Sequence, residues 1–321
     1  MKLIKKDMRL LAELDRDGGQ PLKKLASTVG VSPEVALYRI SRLENEKVIT
    51  GYYSITDVYK LGFNLFRMYI QSDFADDQSR TAFMKSMQSK DSTGQVSILG
   101  GDFDILLGFI CKSNVSFQQE INSILSEYGG NIKSWQTSTV TSLHQFSRKY
   151  LLENKPVSEW VLGRSNDTIA VGETDMKVLA FLASHARSSS SMVERETGVP
   201  RKTVANRIRS LQENKILLGR RVSLARNFQD RTTYRIIIQL SQATTKEISA
   251  LMEFLRNHRD VTYAMQCLGA WPVECELLAD NAVSAYSFTE SLRRMKGVSA
   301  VNTLLVLQDL KYEFTMPKGN E

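Results

Sequence analysis

Two stretches of the chain, GVSPEVALYRISRLENEKVITG (residues 30–51) and GVPRKTVANRIRSLQENKILLG (residues 198–219), decide the fold. They align without a gap at an offset of 168 residues, and the alignment extends back to DMRLLAEL (7–14) and DMKVLAFL (175–182). Over residues 7–51 and 175–219 the two stretches share 12 identities in 45 positions. Because self-similarity at a fixed offset indicates repeated structural units, we infer an internal duplication.

Each copy of the repeat has the pattern of three helices. In the first copy, apolar residues at positions 8, 11, 12 and 14 have helical spacing, and a second short helix is predicted over residues 21–28. A turn containing Gly30 follows. Ser32 and Pro33 suit the N-cap and the first helical position of a third helix that ends near Asn45. This order predicts a helix-turn-helix, and the alternation over residues 48–55 is typical of a strand or wing.

A strand-rich region follows each helix-turn-helix. LFRMYIQS (65–72) and TYRIIIQL (233–240) align as first strands, and the pattern after each predicts a helix, two strands, a helix and a last strand. This β-α-β-β-α-β order is that of the ferredoxin-like fold. We therefore predict an α+β chain in which two winged helix-turn-helix domains alternate with two ferredoxin-like domains. The predicted bounds are 1–60 and 61–145 for the first pair, 146–173 for a linker, and 174–226 and 227–321 for the second pair.

Positive charge is concentrated in the two repeat copies. The 321-residue chain has a net charge of +7, with 10 basic and 7 acidic residues in 1–52 and 10 basic and 5 acidic residues in 169–221. Basic segments suit a phosphate backbone, because neutralising it releases counterions. Double-stranded DNA is therefore the partner that these segments predict.

The third helix of the second copy carries the residues best suited to read DNA. Apolar residues at positions 204, 208 and 211 cluster on one face, and Lys202, Asn206 and Arg209 lie opposite. Lys and Arg suit phosphates or guanine, and Asn suits adenine, in the major groove. Arg201 and Thr203 lie beside the start of this helix.

The first copy is less typical of a DNA reader. Glu34 can accept a hydrogen bond from cytosine, and Tyr38 can contact a phosphate or a thymine methyl. The same helix can instead be a degenerate reader that serves mainly for packing. Arg39 and its counterpart Arg207 lie beside the buried stripe, where a carboxylate and a phosphate are equally good partners. The predicted DNA-contacting residues are Ser32, Pro33, Glu34, Tyr38, Arg39, Arg42, Arg201, Lys202, Thr203, Asn206, Arg207 and Arg209.

The local pattern LA..VG.S.....RI.RLE...VI resembles the Lrp/AsnC (feast/famine) family of regulators. It consists here of Leu25-Ala26, Val29-Gly30, Ser32, Arg39-Ile40, Arg42-Leu43-Glu44 and Val48-Ile49. In the second copy, Ala186-Arg187-Ser188 is similar to the family's junction between helices. Gly101-Asp102-Phe103-Asp104 is similar to its G-x-[YF]-D turn between strands. The resemblance covers essentially the whole chain, twice over.

The resemblance implies that each ferredoxin-like domain is a "regulation of amino-acid metabolism" (RAM) module. It also implies homo-oligomers, dimers or larger, assembled through these modules, and a small effector such as an amino acid bound near the G-x-x-D turn. Gly101 and Asp104 are therefore candidate effector contacts, with a tight turn and a capping carboxylate as the alternative. Two departures matter: the fusion allows one chain to present two unequal readers, and the second turn, Gly269-Ala270-Trp271-Pro272-Val273, lacks the acidic residue.

Two other functions fit the same scaffold. Siroheme decarboxylases resemble this family and also occur as fusions, but they need His and Arg groups around a large tetrapyrrole pocket. The histidines here are His144, His185 and His258, which are scattered, and the sequence has no nucleophile motif, phosphate loop or metal cluster. We therefore predict that the chain is not an enzyme and has no cofactor or metal. The other alternative is an architectural protein that binds DNA without sequence preference.

The sequence also bears on location. No apolar run approaches eighteen residues, and MKLIKKDMRLL lacks the apolar run of a secretory signal, so we expect no membrane span and no export. The three cysteines have no metal-type spacing and fit a reducing compartment. A cytoplasmic, nucleoid-associated protein is the prediction.

Overall fold

The computed structural model describes residues 3–151, 158–164, 167–225 and 228–312, so the predicted linker is described only in part. The first elements are α1 (Lys5–Arg16), α2 (Leu22–Val29), α3 (Pro33–Asn45) and β1 (Ile49–Thr56). α2 ends at Gly30, whose φ of 76° lies in the left-handed region that favours glycine. Ser32 accepts a hydrogen bond from the backbone N–H of Val35, and Pro33 is the first residue of α3. The predicted start of α3 is confirmed.

The strand-rich region that follows has the predicted order. Its elements are β2 (Asn64–Ser72), α4 (Asp77–Ser89), β3 (Thr93–Gly100), β4 (Ile105–Cys111), α5 (Asn114–Tyr128) and β5 (Ile132–Phe146). A short strand, β6 (Glu159–Leu162), comes next.

The second half of the chain repeats this order of elements. The helices and strand of its first part are α6 (Glu173–Ser184), α7 (Ser190–Thr197), α8 (Arg201–Glu213) and β7 (Leu217–Leu224). The later elements are β8 (Thr232–Leu240), α9 (Thr245–Asn257), β9 (Val261–Gly269), β10 (Val273–Ala279), α10 (Ala282–Arg293) and β11 (Val298–Tyr312). The mixed α+β class with an N-terminal helix-turn-helix is confirmed.

The chain folds into two compact units, each drawn from three separate stretches. The first unit consists of Met1–Asp57, Gln145–Val161 and Ala170–Arg231. Within it, β1 and β7 pair antiparallel, with Ile49 opposite Leu224 and Tyr53 opposite Arg221. This unit contains both three-helix segments, and its core consists of their inward-facing apolar residues, among them Leu11, Leu25, Ile40, Leu43, Val178, Leu182, Val204 and Leu211.

The second unit consists of Val58–His144, Leu162–Ile169 and Thr232–Glu321. Its strands follow the order β2-β4-β3-β11-β8-β10-β9-β5, and β5 also pairs with β2, which closes the sheet into a barrel. One face of β2, β3 and β4 packs against α4 and α5 through apolar side chains such as Phe66, Met68 and Phe83. Because side chains alternate along a strand, the intervening residues point into the barrel. The division into four domains at the predicted bounds stays a prediction.

Candidate nucleic-acid interface

The outward face of α8 is exposed and basic. Its inner face packs through Val204 and Leu211, which are buried. The exposed residues opposite include Arg201, Lys202, Asn206 and Arg209, and Thr203 is half-buried beside them. Among the described residues none forms an ion pair with Lys202 or Arg209. These two cations are therefore available to a phosphate or a base edge.

The N-terminus of α8 is partly satisfied from within the protein. α8 follows Pro200 and has no side-chain cap, and the Glu194 carboxylate accepts a hydrogen bond from the backbone N–H of Arg201 at 3.0 Å. The first-turn N–H groups of a helix and the positive end of its dipole favour an anion at this position.

Arginines on the flank of each third helix lie near a carboxylate at the start of the same copy. Asp7 is fully buried and accepts hydrogen bonds from Arg39 Nη1 and Arg42 Nη2, both at 2.8 Å. Burial raises the pKa of Asp7, but the Ile4 backbone N–H and the two guanidinium groups outweigh it and leave the pKa below its ordinary value. Arg39 therefore has the carboxylate partner that was one of its two predicted alternatives.

Arg207 is held more loosely than its counterpart. Its Nε lies 3.8 Å from Asp175 Oδ1, and its side chain is 49% exposed, against 19% for Arg39. Arg207 thus keeps the exposure that a phosphate contact requires, whereas Arg39 is committed to holding α3 against α1.

The first copy presents a different face. Glu34 and Tyr38 are exposed, as predicted, and the Tyr38 side chain is 67% exposed. Hydrogen bonds from its own backbone N–H and from the Ser32 hydroxyl lower the pKa of Glu34, so this carboxylate is ionised at neutral pH. Ser32 and Pro33 act as the cap and the first turn of α3. Direct contact of these residues with DNA stays a prediction.

A buried ion cluster joins the two copies within the first unit. Asp15, near the end of α1, accepts hydrogen bonds from Arg221 Nε at 3.0 Å and Nη2 at 2.6 Å. It also accepts them from Arg148 Nη1 at 2.6 Å and from the Arg148 backbone N–H at 2.8 Å. Burial raises the pKa of Asp15, but the charges of Arg221 and Arg148 outweigh it and lower that pKa. Sequence reasoning missed this cluster, because no local spacing links residues so distant in the chain.

The candidate effector residues lie in a tight turn of the second unit. The Asp104 carboxylate accepts hydrogen bonds from the backbone N–H of Ser72, at 2.8 Å, and from the Ser72 hydroxyl. Gly101 has a φ of 135°, which favours glycine, and a Cβ there would also lie 2.8 Å from Leu304 Cδ2, so a side chain at this position would be strained. Asp104 thus has the geometry of a capping carboxylate. Effector contact by Gly101 and Asp104 stays a prediction.

The interior of the barrel contains charged residues that sequence reasoning also missed. Arg67, Arg235 and Glu274 are fully or almost fully buried. Glu274 Oε2 accepts hydrogen bonds from Tyr69 Oη at 3.0 Å and Trp271 Nε1 at 3.3 Å, and Oε1 lies 3.7 Å from Arg67 Nε. A signal was present: each arginine stands alone in an apolar strand, and the two are related by the repeat offset of 168.

The two interior arginines differ in their partners. Arg67 also donates a hydrogen bond to the Gln95 side chain. The guanidinium nitrogens of Arg235 make no hydrogen bond with the described residues. Glu276 Oε2 lies 3.6 Å from Arg235 Nη2, and the Tyr263 ring lies 4.8 Å from the centre of its guanidinium group.

The histidines lie on separate elements. His144 is on β5, His185 follows α6 and His258 follows α9. Within the described ranges, no three His, Cys, Asp or Glu side chains are grouped as a metal site requires. The helices of these ranges include none with both the length and the apolarity needed to cross a bilayer.

Comparison with known proteins identifies relatives for part of the chain. Residues 5–44 match the model of the AsnC-type helix-turn-helix domain. The leucine-responsive regulatory protein of Rhizobium meliloti (strain 1021) is 30% identical over 113 residues, which are 35% of this chain and 72% of that protein. The leucine-responsive regulatory protein of Escherichia coli (strain K12) is 29% identical over 122 residues, which are 38% of this chain and 72% of that protein.

A solved structure resembles the whole chain. The siroheme decarboxylase NirDL superposes with a TM-score of 0.65 at 11% sequence identity, covering 98% of this chain and 94% of that one. At this identity the similarity shows a shared fold alone.

Proposed function

Because this chain belongs to the Lrp/AsnC family of regulators, we propose that it is a transcriptional regulator that binds specific DNA sequences. The observation that carries the proposal is the outward face of α8. Lys202 and Arg209 have no ion-pair partner among the described residues, and Asn206 is exposed between them. The second helix of a helix-turn-helix motif, which is α8 here, lies in the major groove. There these side chains suit guanine, phosphate and adenine.

We further propose that the chain arose by tandem duplication and acts as a dimer within one polypeptide. The recurring order of elements and the offset of 168 residues support this. The register of β1 with β7 supports it as well. Ile49 pairs with Leu224 and Thr56 pairs with Leu217, and adding 168 to each β1 residue of one pair gives the β7 residue of the other. In this proposal the two winged helix-turn-helix domains share the first unit and the two RAM-type domains share the second.

The predictions of further assembly, of a small effector and of cellular location belong to the same proposal. Further homo-oligomers would form through outer surfaces of the RAM-type domains, because the barrel already pairs the strand edges of both domains. A small effector such as an amino acid would bind near Gly101 and Asp104, after displacing the hydrogen bonds from Ser72. The protein would act in the cytoplasm, at the nucleoid.

Binding of the purified chain to genomic fragments, at roughly physiological salt and with competitor DNA, tests this function. Recovery of a small set of fragments that share a sequence is the expected result. Equal retention of all fragments supports instead the architectural alternative, in which charge alone drives binding.

A second candidate function is siroheme decarboxylation, the activity of NirDL, whose fold matches nearly the whole length of this chain. The separate positions of the three histidines weigh against it. Titration of the full chain with siroheme or haem decides the matter: a stoichiometric change in the absorption spectrum supports the enzyme, and an unchanged spectrum supports the regulator.

A further inference from the structure

The outward faces of α3 and α8 differ at four positions that the repeat offset relates. Where α8 has Lys202, Ala205, Asn206 and Arg209, α3 has Glu34, Leu37, Tyr38 and Ser41. On α3 the Leu37 side chain is 54% exposed and Tyr38 is 67% exposed, and Val35 beside them is 40% exposed. An exposed leucine next to an exposed tyrosine on a reading helix forms an apolar patch that the second copy lacks.

The arginines of α3 do not contribute cations to this patch. Arg39 and Arg42 both donate to Asp7, on the flank of the helix. The outward residues of α3 therefore include one anion, Glu34, and those of α8 include two cations, Lys202 and Arg209. Any DNA read by α3 is recognised without the guanine contacts that Arg and Lys supply.

Cations for the phosphate backbone lie instead on α2, the helix that packs against α3. Lys23 and Lys24, on α2 of the first copy, are exposed. At the related positions of α7 the second copy has Ser191 and Met192. An apolar patch with lysines on the neighbouring helix suits a DNA groove, in which apolar contacts face bases and lysines face phosphates.

We propose that α3 reads a thymine-rich half-site, with Leu37 and Tyr38 packing against thymine methyl groups and Glu34 accepting a hydrogen bond from cytosine. α8 reads a different half-site through Lys202, Asn206 and Arg209, so the operator is asymmetric. This inference rests on the proposed function, since it assigns the bases that one of the two readers recognises. Leu37 is a specificity-determining residue in this account, because the thymine methyl is the apolar group of a base that faces the major groove.

Replacement of thymine by deoxyuridine tests the proposal, since it removes only the 5-methyl group. The operator is first selected from a random duplex pool with the full chain, and the half-site whose base preferences change in Arg209→Ala is assigned to α8. Affinity is then measured for duplexes with deoxyuridine in one half-site at a time. We expect a three- to fivefold loss per contacted methyl, about the value of one buried methyl group, in the α3 half-site.

The variant Leu37→Ala should bind the natural operator more weakly and lose the sensitivity to deoxyuridine. Leu307→Ala is the matched control, because that leucine, on β11, is similarly exposed at 57%, and it should leave both unchanged. Equal unfolding temperatures of the two variants show that neither effect comes from folding.

An enriched operator with no deoxyuridine effect, or with an effect that Leu37→Ala leaves intact, overturns this inference and leaves the proposed function standing. Selection that enriches no sequence overturns both, and DNA affinity unchanged by Leu37→Ala assigns the patch to a protein partner instead.

Discussion

Arg221 donates hydrogen bonds from Nε, at 3.0 Å, and from Nη2, at 2.6 Å, to one carboxylate oxygen of Asp15, and both side chains are buried. Asp15 belongs to α1 of the first copy and Arg221 to β7 of the second. Arg148 binds the same carboxylate and donates from Nη1 to the carbonyl of Val222 at 2.9 Å. The ion cluster thus ties both copies and the segment between them into one unit, which contains α3 and α8.

Removing this carboxylate should destabilise the first unit strongly. Asp15→Asn leaves the charges of Arg148 and Arg221 buried without an anion, and breaking a buried ion pair in this way costs about 3–5 kcal/mol. The free energy of unfolding, from denaturant titration, measures the loss. Asp17→Asn, an exposed neighbour, is the control and should change it by less than about 0.5 kcal/mol. A loss in Asp15→Asn no larger than in the control would mean that the cluster does not hold the unit together.

The same carboxylate should make stability depend on pH in the acid range. Arg221 and Arg148 lower the pKa of Asp15 in the folded state from 3.8, its value without neighbours. A group with a lowered folded pKa contributes stability that is fully present above the unfolded pKa and is lost as the pH falls through the folded one. The temperature of thermal unfolding, measured between pH 6 and pH 2, should therefore decline below about pH 4. Asp15→Asn should show a smaller decline; equal slopes in the two proteins would contradict the assignment.

Arg209 should contribute directly to DNA affinity. The Arg209 side chain is exposed and has no ion-pair partner among the described residues, so Arg209→Ala should leave stability unchanged. If the guanidinium group meets a base edge, affinity falls by about 1–3 kcal/mol and selectivity is lost at that base. Fluorescence anisotropy with a selected operator measures both. Lys246→Ala, which replaces an exposed lysine of α9, removes one positive charge elsewhere and should have little effect; equal losses in the two variants would argue against this placement of α8.

The two interior arginines of the barrel should differ in their contribution to stability. Arg67→Met removes the cation nearest to Glu274, which is fully buried, and should cost about 3–5 kcal/mol. Arg235→Met removes a guanidinium group without hydrogen bonds to described residues, and leaves Glu276 partly exposed with a hydrogen bond from Thr262. We expect a loss of about 1 kcal/mol or less for Arg235→Met. Comparable unfolding free energies for the two variants would contradict the inference that Arg67 stabilises the barrel more than Arg235 does.

Local sequence signals were enough to predict the helices and strands. They were not enough to predict which distant strands pair. The start of α3 follows from Ser32, Pro33 and Gly30, whose conformational preferences act over a few residues. The barrel also requires the pairing of β3 with β11, which places Leu99 opposite Val306. Periodicity predicts that these are strands, but it does not predict which strands pair.

The candidate site was predictable to a similar extent. Helical spacing predicted that Lys202, Asn206 and Arg209 share the outer face of α8, because a helix fixes the directions of its own side chains. The hydrogen bond from Arg42 to Asp7 depends on how α1 packs against α3, and spacing within one helix cannot reveal that packing. The exposure of Leu37 was available from the same helical wheel, but an apolar residue is not expected on a DNA-reading face and it was not singled out.

The affinity of the full chain for a selected operator, compared with a scrambled duplex of the same length and composition, tests the central claim most directly. Measured at about 150 mM salt, the ratio should be at least about a thousandfold in favour of the operator, as is typical of specific regulators. Affinities within a few fold of each other, both falling steeply with salt, would show that charge alone drives binding and would contradict sequence-specific recognition.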